Sequence, residues 1–158
     1  RILNGGFNAW VEIHGAIDRR EPAFKVGNFK AVLQANQTID RDYILSNKSL
    51  TLIDSREPRR FQGLEEPIDP IAGNIPNAVN YFWQDITDEQ ALVKSLEWQK
   101  IHWAALTNTN DIGVYCGSGV TACVNIFSLH LCGINAKLYS GSWSDWCSYL
   151  PPPEKALS

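Results

Sequence analysis

Two periodicities alternate along this chain. Phe7, Trp10, Val11 and Ile13 recur at helical spacing and stop near Gly15. A gap holding Pro22 and Gly27 follows, and from Phe29 short apolar runs alternate with amphipathic stretches. The runs Phe29–Leu33, Leu50–Ile53, Ala78–Asn80, Asp111–Tyr115 and Ala136–Tyr139 predict strands. The stretches Asp40–Ser46, Pro58–Phe61, Ser95–Leu106, Thr121–Leu131 and Ser142–Tyr149 predict helices or single helical turns, with Ser95 as an N-cap. A long Pro- and Gly-rich loop runs through Pro76, and Pro151-Pro152-Pro153 ends the pattern. Alternating strands and helices predict an α/β fold in three layers, a central parallel sheet of about five strands with helices on both faces. In open sheets of that kind, ligands collect beyond the carboxyl ends of the strands. That places Asp54, Ser55, Arg56, the loop after Tyr115, and Ser140 and Gly141 on the candidate face.

Composition narrows the function classes. The chain has 158 residues, of which 44% are hydrophobic, including six Trp, enough to bury a real core. A net charge of −3 with no run of Lys or Arg argues against nucleic acid or an anionic membrane as the main partner. No apolar stretch approaches the ~20 residues that cross a bilayer. The four Cys (Cys116, Cys123, Cys132 and Cys147) lack paired CxxC spacing and read as free thiols of a reducing, cytoplasmic compartment. No cofactor and no metal are implied. The opening residues do not form a signal peptide, and the chain contains no Met, so it reads as a piece of a longer protein.

The segment Ile112-Gly113-Val114-Tyr115-Cys116-Gly117-Ser118-Gly119-Val120-Thr121-Ala122 carries the chemistry. An apolar strand delivers a Cys into a Gly-x-Gly turn, and a helix starts at once. Gly117 and Gly119 let successive N–H groups converge, forming an anion-binding nest at a positive helix end. A thiol there is expected to ionise readily. The bland alternative, a buried structural Cys, fits Cys123, Cys132 and Cys147, which lie among helical apolar residues. Three chemistries use such a nest. A Cys-dependent phosphatase needs a His-Cys-x5-Arg loop, whereas Tyr115 precedes this Cys and Ala122 stands six residues on. A thiol-disulfide oxidoreductase needs a resolving Cys close by, and Cys123 lies inside the helix. Sulfur transfer needs one nucleophilic thiol and a ring of donors, which this loop supplies.

Cys-Gly-Ser-Gly-Val-Thr-Ala at 116–122 resembles the active loop of 3-mercaptopyruvate sulfurtransferases, relatives of the thiosulfate rhodaneses. Leu52-Ile53-Asp54-Ser55-Arg56, Arg60-Phe61-x-Gly63 and Ala72-Gly73-Asn74-Ile75-Pro76 resemble the first half of that domain, with Asn74 at the usual His and Asn77 at the usual second Gly. Tyr139-Ser140-Gly141-Ser142-Trp143-Ser144-Asp145-Trp146 resembles its closing segment, which Leu3-Asn4-Gly5-Gly6-Phe7-x-x-Trp10 repeats. The resemblance implies a tandem enzyme. On that reading 1–20 is the tail of a truncated N-terminal rhodanese-like domain, 21–28 a linker, 29–150 the catalytic rhodanese domain and 151–158 a C-terminal tail.

It further implies a sulfurtransferase that moves a sulfane sulfur from 3-mercaptopyruvate or thiosulfate to a thiol or cyanide through a Cys116 persulfide. Cys116 is then the nucleophile and Ser118 a proton relay. The loop of Gly117, Gly119, Val120 and Thr121 stabilises the sulfur anion, Thr121 also capping the helix. Arg60 grips the donor's carboxylate, with Arg56 or Arg59 in competition, and Asp54 holds loop amides at a strand end. A second substrate arginine of the family is missing near Asp69. The partners implied are a small anionic sulfur donor, a thiol acceptor such as thioredoxin or a small thiol, and the missing N-terminal domain. A non-catalytic rhodanese module for protein binding or sulfur relay is the alternative.

Overall fold

The computed structural model describes residues 2–21, 23–32, 34 and 36–151. Its sheet comprises β1 (Thr38–Ile39), β2 (Thr51–Asp54), β3 (Val79–Asn80), β4 (Ile112–Tyr115) and β5 (Lys137–Tyr139). They lie in the order β1-β5-β4-β2-β3, every pairing parallel. Successive strand residues leave opposite faces, so Ile53 and Val114 enter one core while Leu52, Tyr115 and Tyr139 enter another. The first core is closed by α5 (Ala122–Leu131) and by the stretch from α4 (Leu96–His102) to Leu106, through Trp103, Leu106, Ala122 and Leu129. The second is closed by α2 (Arg41–Ser46) and α6 (Ser142–Cys147), through Tyr43, Ile44, Trp143 and Trp146. Two covered faces explain why all four residues of β4 are buried.

The three-layer α/β architecture is the one expected, but its edge is not. Residues 29–32 form no strand; Phe29 and Val32 are exposed, and Leu33 lies outside the described residues. The open edge of β5 is taken instead by Thr38 and Ile39, paired with Leu138 and Tyr139. The earlier apolar run therefore has no edge to join there. The helix from Ser95 is also shorter than its periodicity predicts. Ser95 Oγ accepts from the Trp98 N–H at 3.2 Å, α4 ends at His102, and a separate 3-10 turn spans Ala104–Leu106. A further 3-10 turn at Trp83–Ile86 was not legible in the pattern.

Pro58–Phe61 forms the single turn α3, and α6 stops before Tyr149. α1 (Gly6–Glu12) appears where its spacing predicts, yet buries none of its residues. It is tethered nearby by Asn4 Oδ1, which accepts from the Val93 N–H at 2.9 Å. The described residues of 21–28 have no regular structure, and the tail from 152 onward lies outside the described residues.

Leu129 is fully buried where α5 meets the sheet. Leu129→Ala is expected to lower unfolding stability by about 2–5 kcal/mol through lost burial and a residual cavity, measured by urea denaturation.

Candidate active site

β4 carries the chain past the carboxyl edge of the sheet, and the next residue is Cys116, whose surface is 2% exposed. The loop's backbone polarity is sorted by α6. The Trp143 N–H donates to the Cys116 carbonyl at 3.0 Å, and the Ser144 N–H and hydroxyl donate to the Gly117 carbonyl at 2.9 and 2.8 Å. Both carbonyls therefore face away from the sulfur. Ser142 holds the junction: its Oγ accepts from the Cys116 N–H at 3.1 Å and donates to the Tyr139 carbonyl at 2.9 Å. Those two bonds secure Ser142 at φ +56°, an unusual backbone state for a residue with a side chain. Gly119 sits at φ +80°, and a Cβ there would lie 2.6 Å from the Ser140 carbonyl oxygen. Only glycine fits that approach.

With the carbonyls averted, the sulfur meets donors. Burial pushes the Cys116 thiol up, but the Thr121 hydroxyl and the N–H groups of Ala122, Ser118 and Gly119 pull harder. The net effect holds it below its ordinary value. Thr121 thus corrects one expectation: its side chain makes no capping bond to α5 and serves the sulfur instead. Ser118 contributes its N–H, while its exposed hydroxyl has no hydrogen-bond partner among the described residues. Val120 is 72% exposed and forms the rim. The other thiols divide. Cys147 is buried as expected and Cys132 is half-buried, but Cys123 faces solvent, where its position on α5 turns it, and donates to the Gly119 carbonyl at 3.3 Å.

An enclosed network of charges forms the wall beside the loop. Asp54 accepts from the Arg56 N–H at 2.9 Å, the strand-end role expected of it, and pairs with the Arg56 guanidinium at 2.7 Å. Arg56 also reaches Glu66 at 3.2 Å and the Gly73 carbonyl at 2.6 Å, with 1% of its side chain exposed. Most of its donors are committed to protein partners, and it lines a hollow beside the loop. Arg60 differs. Its Nε and Nη2 donate to Glu66 and Nη2 also contacts Asp69, but its guanidinium borders Gly117, 3.7 Å from where a Cβ would stand.

Glu66 was missed in the sequence. Burial pushes its carboxyl up, but the Arg60 guanidinium and the N–H groups of Asp69 and Ile68 outweigh that and hold it below its ordinary value. The clue available was stoichiometric: Arg56, Arg59 and Arg60 on one short segment need counterions, and Glu65, Glu66 and Asp69 follow in the next loop. Asn74 donates to the Phe61 carbonyl at 2.9 Å and secures that loop.

The thiol opens on a cavity of about 180 Å³ lined by Arg60, Ile68, Ser118, Val120, Thr121 and Ser144. A neighbouring hollow of about 290 Å³, walled by Arg56, Glu57, Phe82, Trp83 and Gln84, shares Arg60, Gly117 and Thr121 with it. A larger cavity, about 640 Å³ between α5 and the β1–β5 edge, touches none of the loop from Cys116 to Thr121. Chemistry, not volume, selects the site. One thiol in a ring of donors, with one arginine edge nearby, can act as a nucleophile and hold a sulfur anion.

A family model described as a rhodanese-like domain matches residues 40–149. A Pseudomonas aeruginosa relative named "Probable 3-mercaptopyruvate sulfurtransferase" is 36% identical over 152 residues, covering 92% of this chain and 54% of that protein. A thiosulfate sulfurtransferase of Gallus gallus is 33% identical over 162 residues, covering 98% of this chain and 55% of that protein. The chain thus spans about half the length of the curated relatives it matches. The fold is shared with an anaerobic ergothioneine biosynthesis enzyme from Chlorobium limicola, at TM-score 0.83 and 22% identity over 97% of this chain and 40% of that one.

The Thr121 hydroxyl yields a direct test. Only the thiolate is alkylated, so the rate with iodoacetamide rises with pH through the thiol's pKa. In the wild type that midpoint is expected below the ~8.5 of a free cysteine. Thr121→Val is expected to move it upward by roughly 0.4–1 unit, the worth of one hydrogen bond, measured on the Cys116 peptide by mass spectrometry.

Proposed function

Since this chain belongs to the rhodanese-like domain family, we propose that it is a sulfurtransferase carrying a sulfane sulfur on Cys116, taken from 3-mercaptopyruvate or thiosulfate. The observation that carries this reading is the single enclosed thiol, 2% exposed, held below its ordinary value by the Thr121 hydroxyl and three backbone N–H groups. Such a ring is matched to a sulfur anion before and after loading. The Cys116 thiolate attacks the donor's terminal sulfur, and a new S–S bond forms as the S–S bond of thiosulfate or the C–S bond of 3-mercaptopyruvate breaks. The electron pair leaves with the remainder, as sulfite from thiosulfate or as the enolate of pyruvate, which takes a proton at carbon. An acceptor thiolate or cyanide then attacks the outer sulfur, and the pair returns to Cys116 as thiolate.

Arg60 orients the anionic end of the donor from the rim of the 180 Å³ cavity. Ser118, exposed at the mouth, relays the proton. The acceptor is a thiol, thioredoxin or a small one, in a reducing, cytoplasmic setting that keeps the four cysteines free. Among the described residues no helix is long and apolar enough to cross a membrane. The internal repeat belongs to the same reading: residues 1–20 close a preceding rhodanese-like domain, which the greater length of the relatives supports. The loop keeps its cysteine, which favours catalysis over a binding-only module.

Incubation with either donor is expected to leave one extra sulfur on Cys116, seen by mass spectrometry; no adduct from either would refute the proposal. Cys116→Ser is expected to abolish turnover while the circular dichroism spectrum stays native. Arg60→Ala is expected to raise KM for an anionic donor by roughly tenfold, the loss of one charge-assisted contact, in steady-state assays.

A further inference from the structure

The charges around the Cys116 cavity do not suit every anionic donor equally. Five ionisable side chains are linked in one network beside it, Asp54, Arg56, Arg60, Glu66 and Asp69, of which Arg60 alone lines the cavity. Three are acidic and two basic, so the network carries a formal charge of −1. None is in open solvent, the side chains being 0%, 1%, 15%, 3% and 8% exposed in that order. Arg56 is matched by Asp54 at 2.7 Å. Arg60 is matched by Glu66 at 2.6 Å, and Asp69, at 3.5 Å from the same Nη2, is in excess.

Geometry limits Arg60 as well as charge. Its Nε–Nη2 edge, the one that grips a carboxylate bidentately, is already spent on Glu66. What remains for a ligand is Nη1, on the side of Gly117. The rest of the cavity lining, Ile68, Ser118, Val120, Thr121 and Ser144, is neutral.

We propose that Asp69, acting with Glu66, sets donor specificity by cancelling the charge of Arg60, so that the site takes a monoanionic or zwitterionic sulfur donor in preference to a dianion. This deepens the sulfurtransferase reading and rests on it. A monoanionic α-keto thiol, or a zwitterionic persulfide of an amino acid, meets one nitrogen donor and less repulsion than a dianion would. Thiosulfate brings two charges to a wall that already carries a surplus one.

Asp69→Asn tests the assignment, because it removes the charge and keeps the shape. Only one long contact to Arg60 is weakened, so the fold is expected to persist. The wild type is expected to load Cys116 with higher kcat/KM from 3-mercaptopyruvate than from thiosulfate. The variant is expected to raise the thiosulfate-to-mercaptopyruvate ratio about three- to tenfold, the reach of one charge across a partly solvated site. A second measurement needs no sulfur transfer: alkylation of Cys116 by anionic iodoacetate relative to neutral iodoacetamide, which should rise by a similar factor in the variant. A wild type that prefers thiosulfate, or an alkylation ratio unmoved by Asp69→Asn, would overturn the charge assignment and leave the sulfurtransferase reading standing. Loading of Cys116 by no donor at all, alongside a shifted alkylation ratio, would overturn that reading and the donor preference with it.

Discussion

The carbonyl oxygens of Cys116 and Gly117 are bound by the first turn of α6, and the chemistry of the thiol depends on that tie. Every peptide unit offers a donor on one side and an acceptor on the other. A tight loop around a sulfur anion is useful only if the acceptors are turned outward. Here the Trp143 and Ser144 N–H groups take the two carbonyls nearest the sulfur, which leaves the later amides of the loop to face it. The left-handed backbone of Ser142 is part of the same device. Such a state costs on the order of 1–3 kcal/mol and persists only where its surroundings dictate it. Its side chain, bonded to the Cys116 N–H and the Tyr139 carbonyl, does so by locking the end of β5 to the end of β4.

Trp143 joins this loop to the charged wall. Its N–H holds the Cys116 carbonyl, its ring lies over the Arg56 guanidinium with 4.8 Å to the centroid, and its indole N–H donates to the Ile71 carbonyl at 2.8 Å. One residue thus fixes the loop, covers the buried arginine and anchors the segment that carries Glu66 and Asp69. The wall has little freedom. Removing one partner of a buried ion pair typically costs about 3–5 kcal/mol because the other charge is stranded, so Arg56 cannot leave Asp54 and Glu66 to serve a ligand. Arg60, with 15% of its side chain exposed and both Nη atoms beside Gly117, is the arginine with something left to offer.

Much of this was legible in the sequence, and what was not has physical reasons. Central strands such as β4 announce themselves, since burial on both faces leaves an unbroken apolar run bounded by turns. The edge strand did not. Thr38 and Ile39 are two residues long and only Ile39 is buried, whereas the more conspicuous run from Phe29 is exposed. Local pattern cannot tell which segment finds a partner. The Cys-Gly-x-Gly loop could be read because its glycines report on backbone geometry directly. The roles of Arg56, Glu66 and Thr121 could not, because each depends on what lies across space: a guanidinium enclosed by two loops, a carboxylate between two arginines, a hydroxyl aimed at sulfur rather than at a helix end. Cys123 was misjudged for the same reason, since apolar sequence neighbours do not decide which side of α5 a residue occupies.

Two thiols of this chain are buried to the same degree and behave oppositely. Cys116 and Cys147 are each 2% exposed. Burial, followed by the Asp69 and Glu66 carboxylates, pushes the Cys147 thiol above its ordinary value, whereas Cys116 is held below its own. Desolvation is therefore common to both and cannot be what activates Cys116. The difference is the donor ring, which exists because two glycines, an averted pair of carbonyls and one threonine hydroxyl converge on a single atom. The comparison also shows that the field of Glu66 and Asp69 extends into the protein far enough to disfavour an anion at Cys147. At Cys116 the opposing cause is burial, which its own hydrogen bonds outweigh, and an incoming donor has no such ring of its own. The nucleophile and its substrate thus meet different electrostatics within one small cavity, and that asymmetry is where selectivity between donors can arise without any change to the catalytic loop.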